Sequence, residues 1–374
     1  MTDSPASEQE LDIDRLRFAL IPGIGPAIRR ALLEHFDSPA DVLQASDLSL
    51  RRVRGIGPKL SQLIQTAPQL HEAEELQQIC RRSEIKIVLE SDEHYPRTLQ
   101  TLSDPPGVLF QSGDWQPFDR IAVAIVGTRH ASRYGLEQAG QLAASLSRCG
   151  YTIVSGLARG IDTAAHRATL EAGGRTIAVL GSGLLNIYPP ENMTLAKNVK
   201  ESGALVSELP PYRPPMAGTF PQRNRLISGL SLGVIVIEAA TRSGALITAS
   251  HAAEQGREVF ALPGPVTSRV SRGCHRLIQD GAKLVQSVDD VLEELGPLAE
   301  NVEDPDGHLL RHPAELQLND QERSVLDAIE VSPTNIDDVI VCSELPVSRV
   351  LATLHVLETR HLIQRLPGNA VARR

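Results

Sequence analysis

The sequence has few aromatic residues and few cysteines. Phenylalanine, tryptophan and tyrosine together make up 3% of the 374 residues. The cysteines at positions 80, 149, 274 and 342 are far apart and form no Cys-x-x-Cys pair. That spacing excludes the common zinc motifs and a disulfide framework, so we expect ordinary reduced thiols and no bound metal.

Long apolar runs are also missing. No stretch approaches the roughly 18 to 20 apolar residues that cross a bilayer. The start, MTDSPASEQELDID, lacks the basic and apolar regions of a signal peptide. We therefore predict a cytoplasmic protein with no membrane partner. The formal net charge of -9 argues against nucleic-acid binding through overall charge, so any anion site must be local.

The N-terminal region, residues 1–80, contains a repeated turn. The segments IPGIGPAIRRALLEHF and VRGIGPKLSQLIQ both place Gly-Ile-Gly-Pro before an amphipathic helix. Such turns expose backbone N–H groups that suit a phosphate, and the pair resembles helix-hairpin-helix motifs. Arg29, Arg30 and Lys59 add modest support. The alternative is a small helical domain in which the glycines only make tight turns.

Residues 81–296 follow a different pattern, in which short apolar runs alternate with amphipathic segments of helix length. Near-continuous Val, Ile and Ala runs indicate strands buried on both faces of a mainly parallel sheet. The predicted fold is α/β, a doubly wound Rossmann-like core, in which ligands bind beyond the carboxyl ends of the strands. The runs span residues 121–126, 151–154, 175–180, 204–207, 233–238 and 258–262.

The C-terminal part begins with an acidic, aperiodic segment, residues 297–317, which we interpret as a linker. Residues 318–374 contain three helical patterns and a hairpin pattern, the order of a winged helix. The third helix of such a domain can enter a DNA groove. Arg349 is the only cation inward of that helix's end, so we favour the alternative, a protein-docking or dimerisation module.

The loops after the predicted strands are rich in Gly, Ser, Thr and Arg. They include GTRHASRYG, SGLARGIDTAAHRATL, GSGLLNIYPPEN and EAATRSGALITAS. Such loops supply N–H donors, and arginine can hold phosphate with two parallel hydrogen bonds. Arg223 and Arg225 of FPQRNRLISGLS lack an acidic neighbour in sequence, which predicts an external phosphate. Alternatively, they pair with Asp162, Glu208 or Glu238 from other strand ends.

Motifs of common nucleotide enzymes are missing. The first strand is not followed by Gly-x-Gly-x-x-Gly, and no Gly-x-x-x-x-Gly-Lys-Ser/Thr occurs, so we expect no dinucleotide or P-loop cofactor. Asp162 and His166 share a helix face and could form a base and its orienting group. Without a Gly-x-Ser-x-Gly elbow, we interpret them as a helix-capping Asp and a hydrogen-bonded His.

Eight motifs in order resemble those of the DNA-processing protein A family (DprA, also called Smf), across residues 93–295. They are VGTR, SGLARGIDTAAH, VLGSGL, YPPEN, SELPP, FPQRNRLISGLS, VIVIEAATRSGALITASHAAEQGREVFALPG and GCHRLIQDGAKLV. The resemblance implies a cytoplasmic, non-enzymatic homodimer without cofactors. It also implies that the protein binds single-stranded DNA and loads RecA onto it in natural transformation and recombination.

The resemblance also implies roles for particular residues. The residues implied to contact DNA or shape its pocket are Gly127, Arg129, Ser155, Gly156, Arg159, Gly160, Arg223, Asn224, Arg225, Ser243 and Gly244. Leu277 and Ile278 match the region of self-association and RecA contact. Many family members have a lysine in the loop after the third strand, where this sequence has Pro190 and Glu191. Lys197 is a candidate replacement.

Aromatic residues cluster in or beside the loops that follow the predicted strands. Of these, Tyr188 and Phe220 are predicted to stack on bases, because single-strand sites combine cations with aromatic surfaces; Tyr134 and Tyr212 lie in similar positions. Two rival functions stay open. One is a nucleotide phosphoribohydrolase with a Pro-Gly-Gly-x-Gly-Thr-x-x-Glu loop, although the corresponding EAATRSGALITAS lacks the second glycine pair and the closing glutamate. The other is a regulator that binds duplex DNA.

Overall fold

The structure is a computed structural model that describes residues 12–295 except 22 and 68, then 302–303, 309–310, 315 and 318–373. The chain divides into two compact units. The first unit comprises residues 1–112, 182–186 and 206–215, and the second comprises residues 113–181, 187–205 and 216–374.

The first unit begins with short helices, and both Gly-Ile-Gly-Pro turns lie where the sequence predicts them. Pro26 and Pro58 are the first residues of their helices, a position where the missing N–H costs nothing. Ile24 and Ile56 of the turns are buried in a core with Leu32 and Leu50. The helices are α1 (Ile13–Ala19), α2 (Pro26–His35), α3 (Pro39–Gln44), α4 (Asp47–Leu50), α5 (Pro58–Gln65), α6 (Leu70–Arg82) and α7 (Arg97–Gln100).

Two strands of this part of the chain are not among the predicted runs. They are β1 (Lys86–Leu89) and β2 (Val108–Gly113), which pair antiparallel with Lys86 opposite Gln111. The first compact unit contains both strands, and the domain boundary at residue 80 stays a prediction. Charged and polar residues at both ends of β1 hide its strand pattern.

The second unit contains a parallel sheet. Its strands are β3 (Ala122–Val126), β4 (Thr152–Ser155), β5 (Thr176–Val179), β7 (Gly233–Val236), β8 (Glu258–Ala261) and β9 (Lys283–Leu284), and β6 (Ala204–Ser207) lies between β5 and β7 in sequence. The helices are α8 (Arg133–Arg148), α9 (Ile161–Glu171), α10 (Met193–Ser202), α11 (Thr219–Gly229), α12 (Gly244–Glu254), α13 (Arg272–Gln279) and α14 (Val288–Leu295).

The parallel pairs give the strand order β5-β4-β3-β7-β8-β9. The chain builds outward from β3 to β5, and later strands continue on the other side of β3. The order thus reverses between β3 and β7, which is the point where ligands bind in doubly wound sheets. The predicted α/β fold class is confirmed, and all six predicted runs contain a strand.

The C-terminal domain has its own core around Val325, Val339 and Leu354. A three-stranded sheet of order β12-β14-β13 accompanies three helices, which confirms the winged-helix prediction. The elements are α15 (Asp320–Asp327), β12 (Thr334–Asn335), α16 (Ile336–Ser343), α17 (Val347–Thr359), β13 (Ile363–Leu366) and β14 (Ala370–Arg373).

Most of the predicted linker lies outside the described residues. Within it, β10 (Val302–Glu303) and β11 (Leu309–Leu310) form an antiparallel pair. Across the described ranges, none of the helices is by itself long and apolar enough to cross a bilayer. The bent pair α16 and α17, at 113°, meets the criteria of length and composition only when both helices are taken together.

Candidate nucleic-acid interface

Backbone hydrogen bonds bring the ends of neighbouring strands together at the switch point. Thr128, in the loop after β3, donates its N–H to the carbonyl of Glu238 after β7 at 2.7 Å. The same Thr128 accepts from the N–H of Ile161 at 3.3 Å. The loops after β3, β4 and β7 are therefore held against one another and form one edge.

Two glycines of this edge are required by space. A Cβ on Gly127 would lie 2.5 Å from Cγ1 of Ile161. Gly160 has a φ of +75°, and a Cβ there would lie 2.4 Å from the carbonyl oxygen of Thr128. Side chains at either position would push the loops apart, so these glycines shape the edge.

Arg223 lies inside this edge and not on its surface. The residue is only 5% exposed. Nη1 donates to the carbonyl of Gly156 at 2.9 Å and also to the carbonyl of Val179. Burial lowers the pKa of Arg223 to about 10, although nearby Asp162 favours its charged form. The guanidinium therefore ties the ends of β4 and β5 to α11, which differs from the predicted direct contact with phosphate.

Asp162 and His166 occupy the same buried layer. Asp162 accepts hydrogen bonds from the backbone N–H groups of Gly156 at 3.1 Å and Ala158 at 3.3 Å. Burial raises the pKa of Asp162, and Arg223 acts in the opposite direction. Nδ1 of His166 lies 2.7 Å from Oγ1 of Thr176, and burial lowers the pKa of His166 to about 3. These partners agree with a hydrogen-bonded His, while the carboxylate binds the preceding loop and does not cap the helix.

Above this layer, cations and aromatic rings form a row on the surface. The guanidinium carbon of Arg129 lies 5.4 Å from the centre of the Phe220 ring. The Phe220 and Tyr188 rings are 5.7 Å apart and tilted by 49°. The guanidinium carbon of Arg159 lies 5.8 Å from the Tyr188 ring centre. We call Arg129, Phe220, Tyr188 and Arg159 the rim row.

The rim row combines two kinds of binding group. Arg129 and Arg159 are exposed, and the two rings are half-buried. In the part of the chain that the structure describes, no carboxylate forms an ion pair with Arg129. Exposed guanidiniums can hold phosphate, and ring faces can stack on bases.

Glu191 occupies one end of the row. It forms an ion pair with Arg159, in which the two side chains are 51% and 45% exposed. The hydrogen bond from Arg159 lowers the pKa of Glu191. Lys197, the candidate replacement for the missing lysine, is exposed on α10. At the position of the departure, this chain therefore places a carboxylate against an arginine.

Comparison with known proteins shows the family of this chain. Residues 86–296 match the family model described as DNA recombination-mediator protein A. The chain belongs to this family. Residues 311–369 match the DprA winged helix domain, and residues 16–67 match a SAM-like helix-hairpin-helix tandem.

Relatives in this family cover most of the chain. Protein Smf of a Synechocystis species is 34% identical over 96% of this chain and 98% of its own length. The X-ray structure of DprA from Streptococcus pneumoniae has a TM-score of 0.65 at 36% identity, covering 76% of this chain and 98% of that one. The Helicobacter pylori structure, described as showing the single-stranded DNA binding mode of that protein, has a TM-score of 0.52 at 30% identity and covers 57% and 95%.

The other predicted residues lie at the strand ends, on α11 and at the start of α12, and several are engaged by their own chain. Ser155 donates to the carbonyl of Ile125 at 2.6 Å. Asn224 donates to the carbonyl of Gly244 at 3.2 Å, and Ser243 accepts from the N–H of Ala245 at 3.3 Å. These contacts fix α11 and the start of α12. The half-buried Arg225 follows on α11, where its carbonyl accepts from Gln255 at 3.1 Å.

One alternative pairing can be followed in the structure. Glu238 is buried and accepts from the N–H of Ser132 at 2.9 Å and from its hydroxyl at 2.6 Å. That carboxylate anchors the start of α8. Neither this role nor the ion pair at Glu191 is predicted by the sequence. For Glu191, the available signal was an acidic residue in place of the family's lysine.

Proposed function

We propose that this chain binds single-stranded DNA along the rim row. The observation that carries the proposal is the combination of exposed guanidiniums with half-buried rings at the switch point of the sheet. Arginine neutralises phosphates, and each ring offers a face to an unstacked base. A duplex keeps its bases stacked inside the helix, so only its phosphates would contact the row, through the two arginines.

Family relatives support this assignment. The Helicobacter pylori relative is described by its single-stranded DNA binding mode, and the Streptococcus pneumoniae relative as a DNA processing protein. The proposal assigns this chain to DNA processing in the cytoplasm as a binding protein and not as an enzyme. Binding is independent of sequence, because stacking and phosphate contacts accept every base.

The decisive experiment measures salt-dependent binding of a fluorescent single-stranded oligonucleotide. We expect Arg129→Ala/Arg159→Ala to weaken binding at least tenfold and to reduce the slope of log K against log salt by about 1.4, since each lost contact contributes about 0.7. The matched control, Arg148→Ala/Arg167→Ala, removes two exposed arginines of the same unit.

The control should bind within about twofold of the wild type, because it loses the same charge away from the row. Equal weakening by both variants would reduce the effect to overall charge. Unchanged binding by the rim variant would move the DNA site elsewhere and overturn the proposal.

We also propose two protein partners for this chain, a second copy of itself and RecA. By family resemblance, the chain forms a homodimer and loads RecA through the segment of Leu277 and Ile278. Both residues are half-buried on α13, which begins beside the end of β7, where the N–H of Gly273 donates to the carbonyl of Ala239 at 2.8 Å.

Light scattering of the wild type and of Leu277→Ala/Ile278→Ala tests the dimer. The stimulation of RecA ATP hydrolysis on DNA coated by a single-strand binding protein tests the loading. A monomeric wild type, or a wild type without effect on RecA, would reject this part and leave DNA binding by the rim row standing.

A further inference from the structure

The two glycine hairpins of the first unit have the same local shape. We call residues 23–26 the first hairpin and residues 55–58 the second hairpin. In each, the first glycine has a positive φ, +78° at Gly23 and +93° at Gly55. In each, the second glycine is the extended N-cap of the following helix, and no side chain caps that helix.

The surroundings of the first hairpin disfavour an anion. Arg29 is turned inward, where its Nη1 donates to the carbonyl of Ile24 at 2.7 Å. It forms an ion pair with Glu90 at 2.6 Å and is 11% exposed. A carboxylate oxygen of Asp104 lies 4.0 Å from the position of a Cβ on Gly25. The local cation is therefore neutralised, and a second carboxylate lies next to the turn.

The surroundings of the second hairpin are open and basic. Arg52, Arg54 and Lys59 are exposed, and the described residues provide no ion pair for them. Arg51 makes only a loose pair with Asp47 at 3.4 Å. A Cβ on Gly57 would meet no atom within 4 Å. The sequence has no acidic residue between Leu48 and His71.

The chemistry of this basic patch fits a nucleic-acid backbone. Four cations within nine residues attract phosphates, and the exposed turn allows close approach of a strand. Phe, Trp and Tyr are absent between Phe36 and Tyr95. This stretch supplies no ring to stack on bases, so its cations suit phosphates, which a duplex presents in a regular, ordered array.

We infer that the second hairpin is a duplex DNA backbone site and that the first hairpin is not. The site is separate from the rim row and does not depend on the function proposed there. It gives the protein a contact for the double-stranded part of a DNA that also has a single strand.

The test uses the full chain and a fluorescent blunt duplex, with a single-stranded oligonucleotide of equal length in parallel. Arg52→Ala/Arg54→Ala/Lys59→Ala should weaken duplex binding at least tenfold and reduce its salt slope by about 2 to 3, at about 0.9 per lost contact. Single-strand binding should fall far less.

The matched control is Arg30→Ala/Arg81→Ala/Arg82→Ala, which removes three exposed charges of the same unit, one of them beside the first hairpin. Duplex binding by the control within about twofold of wild type supports the inference. Equal loss in both variants, or a hairpin variant that binds duplex like the wild type, overturns it. Thermal unfolding of both variants checks that the substitutions leave the fold intact.

Discussion

Two arginine–phenylalanine pairs lie at opposite ends of the parallel strands. Arg175 precedes β5 and lies 5.5 Å from the Phe118 ring centre, and Arg129 follows β3 and lies 5.4 Å from the Phe220 ring centre. The cation–ring distance is thus nearly the same. The carboxylates differ, because Arg175 forms an ion pair with fully buried Asp119 at 2.6 Å, whereas Arg129 has no such partner among the described residues.

The difference separates structural from binding arginines. Arg175 also donates to the carbonyls of Asp114 and Ser202, so the chain itself satisfies the cation. At the carboxyl ends of the strands, the buried Arg223 donates hydrogen bonds to the strand-end carbonyls, and Arg129 stays exposed above it. Arg129 lies over a ring and forms no ion pair with a carboxylate of the described residues, so its donors stay available for an external phosphate.

The largest expected effect separates the two pairs by stability. Arg175→Ala should lower the free energy of unfolding by about 3 kcal/mol, because it leaves the buried charge of Asp119 without its cation. Arg129→Ala should change it by less than about 0.5 kcal/mol, since the side chain is exposed. Urea unfolding measures both. Similar urea midpoints for the two variants would contradict the distinction between a structural Arg175 and a DNA-binding Arg129.

Lowering the pH should test the protonation of His166 in the buried layer beneath Arg129 and Phe220. The folded pKa of His166 is about 3 and its ordinary value is 6.5, so the unfolded chain takes up a proton first as the pH falls. Stability therefore falls as the pH drops below 6.5, and this group accounts for a loss of about 2 kcal/mol at pH 5.

We expect His166→Gln to lose about 2 kcal/mol less than the wild type between pH 7 and pH 5, measured by urea unfolding at both values. The raised pKa of Asp162 acts in the opposite direction in both proteins and cancels in this comparison. An identical loss in the two proteins would show that His166 is protonated in the folded state.

Replacing each ring by alanine in turn should show which arginine–phenylalanine pair contacts DNA. Phe220→Ala should weaken single-strand binding about tenfold, because stacking on one base contributes about 1 to 3 kcal/mol. Phe118→Ala removes the equivalent ring at the other edge and should leave the affinity unchanged. Fluorescence anisotropy with folded variants decides, and equal affinities for the two would exclude stacking on Phe220.

The smallest effect concerns the carboxylate within the rim row. Glu191→Gln should raise single-strand affinity about twofold at low salt, because it releases the guanidinium of Arg159 from an exposed ion pair. Glu171→Gln removes the same charge at the exposed end of α9 and serves as the control. A gain of equal size in both variants would mean that only net charge matters.

Much of the fold follows from local sequence patterns. The run IAVAIV is apolar on both faces, and this pattern alone predicts a strand inside a parallel sheet, confirmed as β3. Both Gly-Ile-Gly-Pro segments predict a turn before a helix, confirmed at α2 and α5. The strands β1, β2 and β9 were not predicted, because their short, partly polar runs resemble loops.

The site is predictable only in part. The loops after β3, β4 and β7 could be assigned to one edge, because the ends of parallel strands meet there. The depth of each arginine could not, because Arg223 is buried by carbonyls 67 and 44 residues away in sequence. The rim row is equally non-local, since Arg129 and Arg159 reach rings on α11 and in the loop before α10.

The sequence by itself determined the order of the strands β3 to β8, the glycine turns and a cationic group of loops at the switch point, because each depends on local periodicity or on backbone freedom. Tertiary structure alone decided which cations remain available. Arg29, Arg175 and Arg223 find carboxylates or carbonyls far along the chain. Within the described ranges, Arg129 and the exposed Arg52, Arg54 and Lys59 beside the second hairpin find no such carboxylate. The physical reason is that a charge is neutralised by what lies near it in space, and only folding brings those partners together.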